Sequence, residues 1–110
     1  MVTTASGLQY EVVKQGTGPK PGPEAMVKVH YRGTLLDGTE FDSSYQRDEP
    51  AVLKVSSLIP GWAEALQLMP VGSVYRISVP PDLAYGDKEI GPEIGPNATL
   101  KFEIELLGIE

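Results

Sequence analysis

The chain has 110 residues, no cysteine, and nine lysines and arginines against fifteen aspartates and glutamates, a formal net charge of −6. That length suits one domain with a single core. Without cysteine there is no disulfide framework, thiolate metal site or cysteine nucleophile, and the acidic balance disfavours nucleic acid and anionic membranes, which carry the same sign of charge.

No run approaches the eighteen or so apolar residues of a membrane-spanning helix. Met1 to Gly7 has neither the basic head nor the apolar stretch of a signal peptide. The chain as it stands is therefore expected to be cytoplasmic, with a periplasmic or surface position open if it belongs to a longer parent.

The first expected strand is Leu8 to Lys14, where apolar and polar residues alternate. Gly16, Gly18, Pro19, Pro21, Gly22 and Pro23 then make a loop. The clearest strand follows: Val27, Val29 and Tyr31 face one way and Lys28, His30 and Arg32 the other. Asp37-Gly38 is a tight hairpin signal that returns the chain into Glu40 to Ser44. Tyr45 to Pro50 is polar and reads as a surface bulge or loop, after which Ala51 to Val55 resumes a strand.

Leu58 to Pro70 carries the one strong helix signal. Trp62, Ala65, Leu66 and Met69 fall at i, i+3, i+4 and i+7, one face of a helix. Pro60 suits its first turn and Pro70 stops it, leaving about two to three turns. Tyr75, Ile77 and Val79 alternate with Val74, Arg76 and Ser78 as a further strand, ended by Pro80-Pro81. From Asp82 to Asn97 runs a Gly- and Pro-rich loop, longer than most connections and so a functional candidate. Leu100, Phe102, Ile104 and Leu106 define a closing strand. The fold class is α+β: a curved antiparallel sheet of five or so strands with one short helix on one face.

Little conventional catalytic chemistry is present. The single histidine, His30, lies on the polar face of its strand, and one histidine without cysteine does not supply the usual zinc set. No glycine loop opens a helix to cradle phosphate. Asn97-Ala98-Thr99 fits a glycosylation sequon but reads as a turn, and Glu40 and Glu64 read as surface carboxylates. What remains is an apolar set with polar tips: Tyr31, Phe41, Asp42, Leu58, Ile59, Trp62, Tyr85, Ile94 and Phe102. Spacing alone does not bring them together, and each aromatic is equally at home in a core.

Taken in order, Val29-His30-Tyr31-Arg32-Gly33, Asp37 to Ser44, Ile59-Pro60-Gly61-Trp62, Leu83-Ala84-Tyr85-Gly86 and Pro96 to Leu107 resemble the FKBPs, the macrolide-binding peptidyl-prolyl isomerases. The resemblance runs from about Gly7 to Gly108. The stretch from Pro50-Ala51 to Met69-Pro70 is most similar to the bacterial Mip-like branch, whose members often carry an N-terminal helical dimerisation segment that is missing here. As an isolated domain the chain is expected to be a monomer.

The resemblance implies a sheet wrapped across the helix, with an apolar pocket between them. It implies that Trp62 is the pocket floor, that Tyr31, Phe41 and Phe102 are aromatic walls, and that Leu58 and Ile59 form the rim, the Ile59 N–H donating to a bound carbonyl. Asp42 would be the wall carboxylate, Tyr85 the hydroxyl that reaches the ligand amide, and Ile94 an aliphatic contact from the long loop. Two departures bear on ligand preference: Leu53 stands where the family commonly has phenylalanine, and Asp87 to Glu93 is more charged than usual. The implied activity is rotation of X–Pro bonds in proline-containing polypeptides by desolvation and twisted-amide stabilisation. It needs no metal or organic cofactor, and macrolides such as tacrolimus and rapamycin would inhibit it. A non-catalytic proline-binding or chaperone module using the same pocket is the alternative.

Overall fold

Alternation of apolar and polar side chains decides which face of each strand turns inward. The computed structural model describes residues 2–86, 94, 95 and 97–110. Its strands are β1 (Val2–Thr3), β2 (Gln9–Lys14), β3 (Met26–Thr34), β4 (Glu40–Ser43), β5 (Ala51–Lys54), β6 (Val74–Val79) and β7 (Leu100–Ile109), and its helix is α1 (Pro60–Leu68). All pairings are antiparallel, in the order β1-β2-β6-β7-β3-β4, with β5 also on β3. The α+β expectation is met, with one short α-helix among the described residues.

Registers bring the inward positions into rows. Tyr75, Ile104 and Tyr31 lie opposite one another across β6, β7 and β3, and Ile77, Phe102 and Gly33 form the next row. Tyr75, Ile77, Val79, Leu100, Phe102, Ile104, Leu106, Val27 and Val29 are all buried. Against this face α1 lays Trp62, Ala65 and Leu66, with Met69 buried just beyond its end. The outward positions are charged: Glu11 opposes Arg76, and Glu103 opposes both Arg76 and Arg32. Arg76 pairs with Glu103 at 3.1 Å and Arg32 with Glu40 at 3.0 Å. Such exposed pairs keep this face wet more than they stabilise it.

β3 carries the edge of the sheet in two pieces. Arg32, Gly33 and Thr34 hold β4, while Met26 to Val29 hold β5. The expected polar excursion over residues 45–50 lies between them. Ser44 closes the gap with its buried hydroxyl, which accepts the Tyr31 N–H at 2.7 Å and lies 2.8 Å from His30 Nδ1. His30 is half-buried, stacked on Tyr45 with ring centroids 4.8 Å apart.

Two local expectations change. β2 does not alternate in burial: Val12 and Val13 are 43% and 48% exposed, because only the two residues of β1 lie beyond it. In the β3–β4 hairpin the central turn residues are Leu36 and Asp37, and Gly38 follows them at φ +90°, with its N–H bonded to the Leu35 carbonyl at 3.0 Å. The positive φ falls on the residue that tolerates it. The charged stretch Asp87 to Glu93 lies outside the described residues. Among the described residues no helix is long and apolar enough to cross a membrane.

Gly61 lets α1 lie close against β6. A Cβ there would stand 2.5 Å from Val79 Cγ1 and 3.3 Å from the Leu83 carbonyl oxygen. Helix propensity alone would favour alanine by about 1 kcal/mol, but Val79 is fully buried and its branched side chain is restricted at χ1, so it yields little. Gly61→Ala is therefore expected to destabilise by about 1–3 kcal/mol, read as a lower urea midpoint at unchanged slope. Adding Val79→Ala should recover part of the clash, and full additivity of the two losses would refute the contact as its cause.

Candidate active site

The approach to α1 builds the floor of a cavity. Ile59 precedes Pro60, and a residue before proline is driven to extended geometry; its φ and ψ are −58° and 150°. The Ile59 carbonyl accepts the Ala63 N–H at 3.1 Å and starts the helix, whereas the Ile59 N–H has no hydrogen-bond partner among the described residues. Trp62 follows in the first turn, facing the sheet.

Trp62 meets Tyr31 and Phe102 nearly at right angles, with centroids 5.3 and 5.2 Å away. Phe102 meets Phe41 the same way at 5.6 Å. Gly33 makes room for this last pair: a Cβ would fall 2.7 Å from Phe41 Cζ and 2.9 Å from Phe102 Cε1. These four rings, with Leu53, Ser57, Leu58, Ile59, Asp42 and Tyr85, line a cavity of about 350 Å³. The fold thus gathers Tyr31, Phe41, Asp42, Leu53, Leu58, Ile59, Trp62, Tyr85 and Phe102 around one space. Trp62 is only 5% exposed, covered along its edges by its neighbours. Ile94, 6% exposed, packs in the core and is not among these lining residues.

The polar side of the cavity is a closed circuit. The Tyr31 hydroxyl donates to Asp42 Oδ2 at 2.7 Å, while Arg47 reaches Asp42 Oδ1 through one terminal nitrogen and the Tyr31 oxygen through the other, both at 2.9 Å. Its guanidinium also lies 5.7 Å from the Tyr31 ring centre. Burial pushes the Tyr31 phenol up, and the bond to Asp42 adds to that. For Asp42 burial also acts upward, but hydrogen bonds from Tyr31 and Arg47 and the arginine's charge outweigh it and hold the carboxyl below its usual value. Tyr31 stays a donor and Asp42 a carboxylate. Tyr85, at the mouth and 37% exposed, has no hydroxyl hydrogen bond among the described residues.

Arg47 and Ser57 do not emerge from the sequence. Arg47 sits in a polar run that reads as solvated surface, and only the fold brings it back over Asp42. Ser57 lines the cavity but spends its hydroxyl on the Lys54 carbonyl at 2.8 Å.

The family model for FKBP-type peptidyl-prolyl cis-trans isomerases matches residues 18–107. The chain belongs to this family. It is 53% identical over its full length to the outer membrane protein MIP of Legionella longbeachae and covers 47% of that protein. It is 56% identical over 98% of its length to the FKBP-type isomerase FkpA of Aeromonas hydrophila, covering 40% of it. The chain thus spans about half the length, or less, of these curated relatives. The crystal structure of FkpA from Escherichia coli superposes with a TM-score of 0.95 at 44% identity, over 99% of this chain and 51% of that one. The FKBP fold assigned from the motifs is therefore the fold observed.

The Asp42 circuit has a pH signature. A carboxyl lowered by folding contributes stability that is present above its unfolded value, about 3.9, and lost as pH falls through the folded one. A carbon NMR titration of the Asp42 carboxyl is expected to give a midpoint below the ordinary aspartate value, rising in Arg47→Ala. A midpoint at or above the ordinary value in the native protein refutes the circuit.

Proposed function

We propose that this chain accelerates the cis–trans rotation of X–Pro bonds in polypeptides, with the proline ring seated on Trp62. The observation that carries the reading is the cavity itself: four aromatic rings, aliphatic Leu53, Leu58 and Ile59, and a polar side already satisfied internally.

Amide rotation is opposed by the loss of resonance, a barrier of about 18–20 kcal/mol, and uncatalysed X–Pro exchange takes about tens to hundreds of seconds. No bond is made or broken to a nucleophile. At the twisted geometry the carbonyl carries less charge and the nitrogen becomes a better acceptor, so a dry apolar site favours it over the planar amide. A thousandfold acceleration needs about 4 kcal/mol, which is within reach of desolvation plus a few oriented contacts. In this reading Tyr31, Phe41, Trp62 and Phe102 hold the ring, the Ile59 N–H binds a neighbouring carbonyl, and Tyr85 and Asp42 orient the twisting amide. Macrolides would inhibit by occupying the same cavity.

Leu53 favours a second reading. It leaves one wall without the larger ring that a phenylalanine would supply, and a looser cavity could hold proline segments without speeding their rotation. Binding and turnover measured on one preparation separate the two, since a non-catalytic module binds without acceleration.

Relaxation of a cis X–Pro peptide, followed with and without the protein, should be accelerated, and a macrolide should abolish the difference while changing Trp62 emission. Absence of a macrolide-sensitive acceleration refutes the isomerase reading. Asp42→Leu strands the Tyr31 hydroxyl and Arg47, so turnover should fall severalfold or more with the circular dichroism spectrum unchanged. Unaltered turnover would remove Asp42 from the mechanism.

A further inference from the structure

The edge of the sheet beside the cavity offers an extended chain a place to pair. β5 pairs with β3 alone among the described strands. Two bonds fix which of its backbone groups face outward. Val55 N–H donates to the Ala25 carbonyl at 3.0 Å, so Val55 turns toward β3, and with it, at two-residue steps, Leu53 and Ala51. On the other strand the Met26 carbonyl accepts the Glu110 N–H at 2.8 Å and so faces away from β5. Val52 and Lys54, opposite Lys28 and Met26, therefore occupy the positions without ladder bonds to β3.

Their backbone groups point out of the sheet. The Lys54 carbonyl is taken by the Ser57 hydroxyl. The Val52 N–H and carbonyl and the Lys54 N–H have no hydrogen bond among the described residues. β4, on the same edge, is occupied differently: residues 45–50 fold back across it, with Gln46 bonded to Glu40 and Arg47 to Asp42. β5 is free of such cover among the described residues, and Val52 is 49% exposed.

We infer that the open edge of β5 takes the client polypeptide as an added strand, pairing the extended segment on one side of the proline with Val52 and Lys54. The inference rests on the isomerase reading and deepens it. The occupant follows from continuity: Leu53, between the two outward residues, lines the cavity from the inner face, and Ser57 and Leu58 carry the same rim onward. A chain with its proline on Trp62 leaves the cavity past this edge. Main-chain pairing of this kind supplies affinity with little demand on side chains, which suits a protein acting on many proline-containing segments. An unpaired edge that is kept out of aggregation is typically short and bears lysine, and β5 is both: it has four residues, and its Lys54 is paired with Glu24 at 3.1 Å.

The test uses ten-residue peptides with one central proline, N-methylated at one amide at a time, with isomerisation kinetics read for each. The client N–H that donates to the Val52 carbonyl is unique. Methylation at one amide, two or more residues from the proline and on one flank only, should raise KM about fivefold, the share of one ordinary hydrogen bond. The neighbouring amides, facing solvent, should be silent, and kcat should hold throughout. Val52→Pro removes an outward donor from an edge position that tolerates proline, so it should raise KM for the parent peptide about fivefold. In that variant the sensitive methylation should cost less than it does in the native protein. Should Val52→Pro fold poorly, the peptide series on the native protein still decides. Acceleration of every peptide with KM flat across the series overturns the edge pairing alone. Acceleration of none overturns the isomerase reading and the pairing with it.

Discussion

The cavity depends on the indole of Trp62 meeting its neighbours at right angles. Rings stacked in parallel fill space evenly, whereas perpendicular rings touch at one end and diverge at the other. Each edge-to-face contact is worth about 0.5–1.5 kcal/mol beyond the area it buries. Tyr31, Trp62, Phe102 and Phe41 form a chain of three such contacts. The space they enclose is part of a favourable packing and not a defect in it. Each ring is placed by a different element: β3, α1, β7 and β4. The sheet and the helix must therefore both be formed before the cavity exists.

Closeness of backbone makes that arrangement possible. Gly33 brings the two phenylalanine rings down onto β3, and Gly61 brings the helix down onto β6. Neither glycine needs an unusual backbone angle, since neither is among the positive-φ glycines. Their role is absence of volume. The polar circuit works on the opposite side by fixing direction: with its hydroxyl held between Asp42 and Arg47, Tyr31 presents its ring to Trp62 at a set angle.

Much of this was legible in the chain, for a physical reason that also marks the limit. β3, β6, β7 and α1 each bury one face against a common core, so their apolar residues recur at the period of the element. β2 lies near the margin of the sheet, where burial no longer enforces the period, and there the pattern misleads. Asp37-Gly38 announced the hairpin, because a left-handed residue after a tight turn leaves few choices of side chain. The convergence of Tyr31, Phe41, Trp62 and Phe102 could not be read from spacing, since rows across a sheet depend on registers that no single strand contains. Ordered motifs that resemble a known family pointed to them instead. Arg47 escaped both routes: its partners are reached through a return of the chain over its own edge, and its neighbours Gln46, Asp48 and Glu49 give no sign of it. Ile94, an apolar residue of the long loop, packs in the core.

The interruption of the edge strand separates two kinds of tolerance. β4 and β5 are held by different parts of β3, so residues 45–50 can lengthen without shifting either register. Doubling such a loop costs only about 0.6 kcal/mol in closure entropy. The floor has no such freedom, because Trp62 and Phe102 meet edge to face and a Cβ added at Gly33 or Gly61 would fall within 3 Å of a neighbouring side chain. A molecule built this way can acquire new insertions at its rim, and with them new neighbours for an incoming chain, while the packing beneath stays as it is.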